Sequence, residues 1–138
     1  MVVGASSGTD SIVKKTSVSI LIADNSVKDR SAIKEILEYS CGKVRIIETD
    51  NGVDAVKLFM ENKPELVIID LNTPRANGIE SLQAILKINK MARVILLATK
   101  GNMDFLSARK LGARDCIFKP LDRVVVNNIV SKILYQSW

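Results

Sequence analysis

Five short apolar runs, Val18–Ala23, Val44–Ile47, Leu66–Ile69, Val94–Ala98 and Cys116–Phe118, punctuate a chain that is otherwise mixed in polarity. They begin 26, 22, 28 and 22 residues apart, room each time for a strand, a helix and two loops. Within the runs Val, Ile and Leu follow one another almost without interruption. That is the look of strands buried on both faces of a parallel sheet. Between the runs the apolar positions recur at helical spacing. Ile33, Ile36 and Leu37 line the first segment, and Ala55, Val56, Phe59 and Met60 the second, opened by Asp50-Asn51-Gly52 and closed before Pro64. Ile79, Leu82 and Leu86 mark the third, after turn signals at Pro74 and Gly78. Met103, Leu106 and Leu111 precede a stop at Gly112, and Val126, Ile129, Val130 and Ile133 carry the last helix. Strand and helix alternating five times predict a three-layer, doubly wound α/β domain with a five-stranded parallel sheet and right-handed crossovers.

Residues 1–16, rich in Ser, Gly, Thr and Lys, read as a disordered tail or an expression remnant, leaving 17–138 as one domain. No apolar run reaches the length of a membrane span, and the first ten residues lack the basic-then-apolar order of a secretory signal. A cytoplasmic location is expected. Cys41 and Cys116 lie far apart without metal or redox spacing, and read as two buried free thiols. Histidine is absent, which removes His-based triads, imidazole-bound zinc and phosphohistidine chemistry. The net charge of +5 is unevenly spread. Residues 1–70 hold 9 Lys/Arg against 11 Asp/Glu, whereas 71–138 hold 11 against 4. The basic residues of the second half are scattered and few aromatics stand among them, so a protein partner suits them better than direct contact with nucleic acid.

Ligands of open parallel sheets bind beyond the carboxyl ends of the strands, where strand order reverses. The residues following the runs are therefore the ones to read. The first run ends in Asp24-Asn25-Ser26, the third in Asp70-Leu71-Asn72-Thr73-Pro74, the fourth in Ala98-Thr99-Lys100 and the fifth in Lys119-Pro120. With strands in the order 2-1-3-4-5, the first and third are neighbours, and Asp24 and Asp70 face each other. Two carboxylates that close repel unless a cation separates them. Oxygen donors without His or Cys favour a hard ion, with Mg²⁺ the ready candidate. Taken singly, Asp24 or Asn25 reads as a helix cap, Asp70 as turn chemistry and Lys119 as a solvated cation. Their joint placement at one sheet edge points to a site.

The stretch Ile20-Leu21-Ile22-Ala23-Asp24-Asn25-Ser26, the stretch Leu66 to Pro74 with Gly78, and Lys119-Pro120 together resemble the response-regulator receiver of two-component signalling, chemotaxis-type single-domain receivers included. The resemblance covers about residues 17–136. It implies a flavodoxin-like fold and a phosphoacceptor at Asp70 that takes a phosphoryl group from a histidine kinase or histidine phosphotransfer protein. It further implies Mg²⁺ held by Asp24, Asn25, Asp70 and the Asn72 backbone carbonyl, with Lys119 on the phosphoryl oxygens. Such a domain signals and is not an enzyme in its own right, beyond its own phosphorylation and dephosphorylation. The output surface implied is the fourth helix, fifth strand and fifth helix, so a downstream protein would dock on residues 102–130, with Lys110, Arg114 and Arg123 facing its acidic groups.

Three positions depart from the family pattern. Asn25 stands where a second acid is usual, which removes one charge from the metal site. Ala98-Thr99 reverses the usual hydroxyl-then-Ala order, so Thr99 is the candidate switch hydroxyl while Ala98 occupies the family position. Cys116 replaces the aromatic switch residue. These changes keep two alternatives open: a degenerate receiver that binds proteins without phosphorylation, and the receiver fragment of a DNA-binding response regulator. An FMN-binding flavodoxin is disfavoured, because no Ser/Thr/Gly phosphate loop follows the first run.

Overall fold

A computed structural model describes residues 17–135, so the expected tail at 1–16 lies outside the described residues, as do positions 136–138. Each apolar run is a strand: β1 Val18–Ala23, β2 Val44–Thr49, β3 Leu66–Asp70, β4 Val94–Thr99 and β5 Asp115–Lys119. Between them lie α1 Val27–Cys41, α2 Gly52–Asn62, α3 Gly78–Ile88, α4 Asp104–Leu111 and α5 Arg123–Tyr135. Four of the strands outrun their apolar stretches, because backbone pairing continues after the side chains turn polar. Ala23 still pairs with Thr49, and Thr99 with Lys119. All pairings are parallel and the order is β2-β1-β3-β4-β5, so β1 and β3 are neighbours as the sequence predicts.

Side chains alternate across the sheet and divide the core in two. Leu21, Ala23, Val67, Ile69, Leu96 and Ala98 pack on α2, α3 and α4 through Phe59, Leu82, Ile85 and Ala108. Ile20, Ile22, Ile68, Ile95, Leu97 and Ile117 pack on α1 and α5 through Ile33, Leu37, Val126 and Val130. β3 is buried throughout, whereas β2 and β5 are edge strands whose side chains are mostly part-open or exposed. The reading of every run as doubly buried therefore holds for the inner three strands only.

The first three helices begin on side-chain caps at Ser26, Asn51 and Asn77, the last closing a capping box with Glu80, whereas α4 has no side-chain cap. The weakest periodicity in the sequence misled. Met103, Leu106 and Leu111, read as the inner face of the fourth helix, are 62%, 49% and 42% exposed. α4 is short, and only Ala108 is fully buried on it; a small residue lets the helix lie close while its bulky side chains point outward. Met60 is likewise exposed; on α3 Leu82 is fully buried as expected, but the second large buried side chain is Ile85 and not Leu86. Both cysteines are free but half-buried, not buried as expected. Among the described residues no helix is long and apolar enough to cross a membrane.

Candidate functional site

Three strand ends build the site. Beyond β1 the Asp24 amide donates to the Thr49 carbonyl at 3.1 Å, which continues the ladder one residue past the strand. The Ser26 amide then donates to Asp24 Oδ1 at 2.8 Å, and this turns the carboxylate back over the sheet edge. The helix cap is thus Ser26; Asp24, buried to 1% exposure, is not the cap that either residue alone suggested. Asp70 closes β3, and its Oδ1 accepts the Asn72 amide at 2.8 Å.

The loop after Asp70 is clamped from outside. Leu71 donates to the Leu97 carbonyl at 2.9 Å, and Gly52 at the start of α2 donates to the Pro74 carbonyl at 3.1 Å. A Cβ at Gly52 would stand 1.8 Å from the Ala76 carbonyl oxygen, and one at Gly78 would stand 2.7 Å from Leu71 Cα. Only the absence of side chains lets this loop lie so close to the two helix starts.

Lys119, last residue of β5, belongs to a strand two removed from β3, a gap of roughly 10 Å. A long side chain is needed to cross it. Its Nζ reaches Asp70 Oδ2 at 2.5 Å, Asp24 Oδ2 at 2.9 Å and Asp29 Oδ2 at 2.7 Å. One ammonium thus binds three carboxylates, of which the strand-end pattern points to two. Asp29 escapes that pattern because an acid in the first turn of a helix is ordinary; its only signal is that it lies one turn beyond the Asp24 strand end.

Burial alone would lower the Lys119 ammonium, but its contacts with Asp29, Asp70 and Asp24 outweigh that and hold it well above the ordinary lysine range. Burial raises the Asp24 carboxyl; the Ser26 amide and Lys119 oppose the shift, Asp70 adds to it, and the net direction is upward. The two directions are compatible: Lys119 collects three partners, whereas Asp24 is deeply buried with Oδ2 lacking any aligned hydrogen-bond donor. The pocket is therefore charged and short of positive charge. A buried carboxylate oxygen that shares one ammonium with two other acids and has no aligned donor of its own, beside a second carboxylate, fits a hard cation such as Mg²⁺, which needs only one or two carboxylates and completes its shell with water. No group of three or more His, Cys, Asp or Glu side chains surrounds an open cation position among the described residues; the aspartates are gathered on the ammonium instead.

Asn25 and Asn72 are exposed at the rim. β4 keeps its register to the end, Ala98 opposite Phe118 and Thr99 opposite Lys119, so Ala98 and Thr99 point to opposite faces. Ala98 is fully buried toward α2–α4 and Thr99 is exposed. Cys116 packs at the edge of the same core face; burial, with Asp115 nearby, pushes its thiol up to about 11. The aromatic contact of this region is instead Phe118 against Phe105 of α4, edge to face, with centroids 5.1 Å apart. The Lys119–Pro120 peptide is cis. A cavity of about 410 Å³ between Phe59, Met60, Pro64 and Ile88 lies before the amino ends of the strands and takes no part in this site.

A doubly wound α/β domain with an acidic, lysine-bridged pocket at the carboxyl edge of its sheet is the class that fold and site define. The sequence pattern of the response regulator receiver domain matches residues 20–131. The chain belongs to that family. The chemotaxis protein CheY of Listeria monocytogenes is 36% identical over 111 residues, covering 78% of this chain and 92% of that protein. CheY of Bacillus subtilis is 34% identical over 116 residues, with 83% and 96% covered. Among solved structures, the response regulator domain of Thermotoga maritima CheB superposes with a TM-score of 0.73 at 28% identity, covering 84% of this chain and 92% of that one. A receiver domain protein from Clostridium thermocellum gives 0.78 at 25% identity, with 85% and 94% covered. The chain is thus a response-regulator receiver, a signalling domain.

Proposed function

We propose that this receiver takes a phosphoryl group onto Asp70 from a histidine kinase or a histidine phosphotransfer protein, with Mg²⁺ bound in the pocket of Asp24, Asp70, Asn25 and the Asn72 carbonyl. The observation that carries the proposal is the ion pair of Asp70 with Lys119, beside the buried and incompletely satisfied Asp24. A carboxylate oxygen attacks phosphorus, the P–N bond of the donor breaks, and the imidazole leaves with that electron pair. A carboxylate nucleophile carries no proton to be removed during attack, so Asp70 needs no general base. Lys119 offsets charge on the transferring phosphoryl oxygens, and Mg²⁺ held by the same pocket would supply the rest of that offset. Asp24 orients the pocket through its fixed contact with the Ser26 amide.

Output is assigned to residues 102–130. Two of the three cations expected to meet an acidic partner are already engaged: Arg123 pairs with Glu35 at 3.8 Å and lies over the Tyr39 ring, and Arg114 donates to the Met91 carbonyl. The face is richer in exposed apolar groups, Met103, Leu106, Phe118, Val124 and Val125, so the downstream protein is read as one with an apolar docking surface. The test is incubation with acetyl phosphate and Mg²⁺ followed by intact-mass measurement. One added phosphoryl group is expected, and Asp70→Asn abolishes it. No adduct, with a known receiver reacting in parallel, favours the phosphorylation-independent binding module.

A further inference from the structure

The helix start Ser26-Val27-Lys28-Asp29 has the form of a capping box, in which the acid folds back onto the cap residue's amide. Half of that box is not made. The Ser26 side chain does accept the Asp29 amide at 3.1 Å. The Ser26 amide, however, is already given to Asp24 Oδ1. Asp29 is therefore released from its local duty, and its carboxylate turns to Lys119 Nζ at 2.7 Å. That nitrogen also touches Asp24 and Asp70, so all three acidic oxygens stand within a few ångströms of one another. Asp29 is only 28% exposed at its side chain, and it faces the pocket in which the buried Asp24 Oδ2 has the shared Lys119 ammonium at 2.9 Å and no well-aligned donor of its own. Asn25, by contrast, is exposed and uncharged.

We infer that Asp29 supplies to the cation pocket the carboxylate charge that Asn25 does not carry. The charge has moved from the strand end to the first turn of α1, and the pocket keeps three acids although one is not where a receiver ordinarily has it. The inference rests on the reading of this edge as a divalent-cation site. A carboxylate at this range from a doubly charged ion shifts its binding constant by about tenfold under near-aqueous screening.

Calorimetric titration of the full chain with MgCl₂, and separately with MnCl₂, tests it. Asp29→Asn is expected to weaken both ions about tenfold, and Asn25→Asp added to that variant to restore affinity to within about threefold of the unaltered chain. Asparagine retains the size of Asp29 and leaves the backbone amide on Ser26, and the thermal midpoint of each variant is measured alongside to show that it is folded. An Asp29 that merely favours the helix start shifts the midpoint and leaves the cation constant within twofold; that result overturns the inference, as does any failure of Asn25→Asp to restore binding or an absence of cation binding in the unaltered chain. Mass measurement after acetyl phosphate treatment separates the two readings. A missing adduct with Asp29-dependent cation binding sinks the phosphoacceptor role alone. A clear adduct with a cation constant indifferent to Asp29→Asn sinks the role of Asp29 alone.

Discussion

Replacing Lys119 by Met keeps much of the length of the side chain and removes only the ammonium. In the cation-free protein this leaves Asp24, Asp29 and Asp70 facing one another with no positive charge between them. Two of the three are nearly enclosed, with side-chain exposures of 1% for Asp24 and 11% for Asp70, while Asp29 at 28% retains water. Breaking a buried ion pair by deleting one partner costs about 3–5 kcal/mol, and the open Asp29 side places this case at the low end, about 3 kcal/mol. For a domain of this size that lowers the melting temperature by roughly 12 °C. The pH dependence has a definite sign. The folded-state value of Lys119 is raised, so its contribution is complete below the ordinary lysine value of 10.5 and fades only as pH rises through the higher folded value. The deficit of the variant is therefore full at pH 7.5. The folded-state value of Asp24 is raised as well, so protonating it favours the folded form. The deficit narrows as pH falls toward the ordinary aspartate value of 3.8. Urea unfolding in EDTA, followed by far-ultraviolet circular dichroism, is the assay; the single tryptophan, Trp138, lies outside the described residues. Surface changes fall within about 0.5 kcal/mol, and a variant inside that range at pH 7.5 refutes the three-carboxylate cage.

Two further outcomes follow from the same edge of the sheet. Ala98→Thr places a hydroxyl in a fully enclosed apolar position and is expected to cost about 1–3 kcal/mol in urea unfolding, yet together with Cys116→Tyr it should enlarge the amide shifts over residues 102–130 that a phosphoryl mimic induces; widespread shifts in the unaltered chain would show that it signals by another route. With its thiol near 11, Cys116 should be alkylated at pH 8 about a hundredfold more slowly than in the urea-unfolded chain, read by site-resolved mass spectrometry, and equal rates would place the thiol in free solvent.

Strand positions and layer order were legible in the sequence because continuous Val/Ile/Leu runs at regular spacing rarely arise outside a parallel sheet covered by helices on both faces. Ile20, Ile22 and Ile68 fall where that pattern puts them. Helix faces were legible only where the apolar stripe was broad, as on α1 and α5. On α4 the burial rests on Ala108, and a small residue gives no periodic signal against Met103 and Leu106. Asp24, Asp70 and Lys119 could be located because strand ends in a parallel sheet share one edge. Asp29 could not, since its role depends on which acceptor the Ser26 amide selects, a choice made by the turn geometry. Phe118 escaped notice for a related reason: its value lies in meeting Phe105, which sits on the helix least visible in the pattern.

Gly52 carries no charge and touches neither Asp70 nor Lys119, yet the loop that shapes the pocket rests on it. Its amide holds Pro74, its carbonyl receives the Ser81 hydroxyl at 3.3 Å, and no space is left for a methyl group. In a genetic screen scored by signalling at a warm growth temperature, this position would return loss-of-function alleles beside those of Asp70, although the lesions differ in kind. Asp70→Asn would leave a folded, silent protein at every temperature. Substitutions at Gly52 would give conditional alleles, functional in the cold and lost on warming, because what they remove is the fit of a loop and not a chemical group.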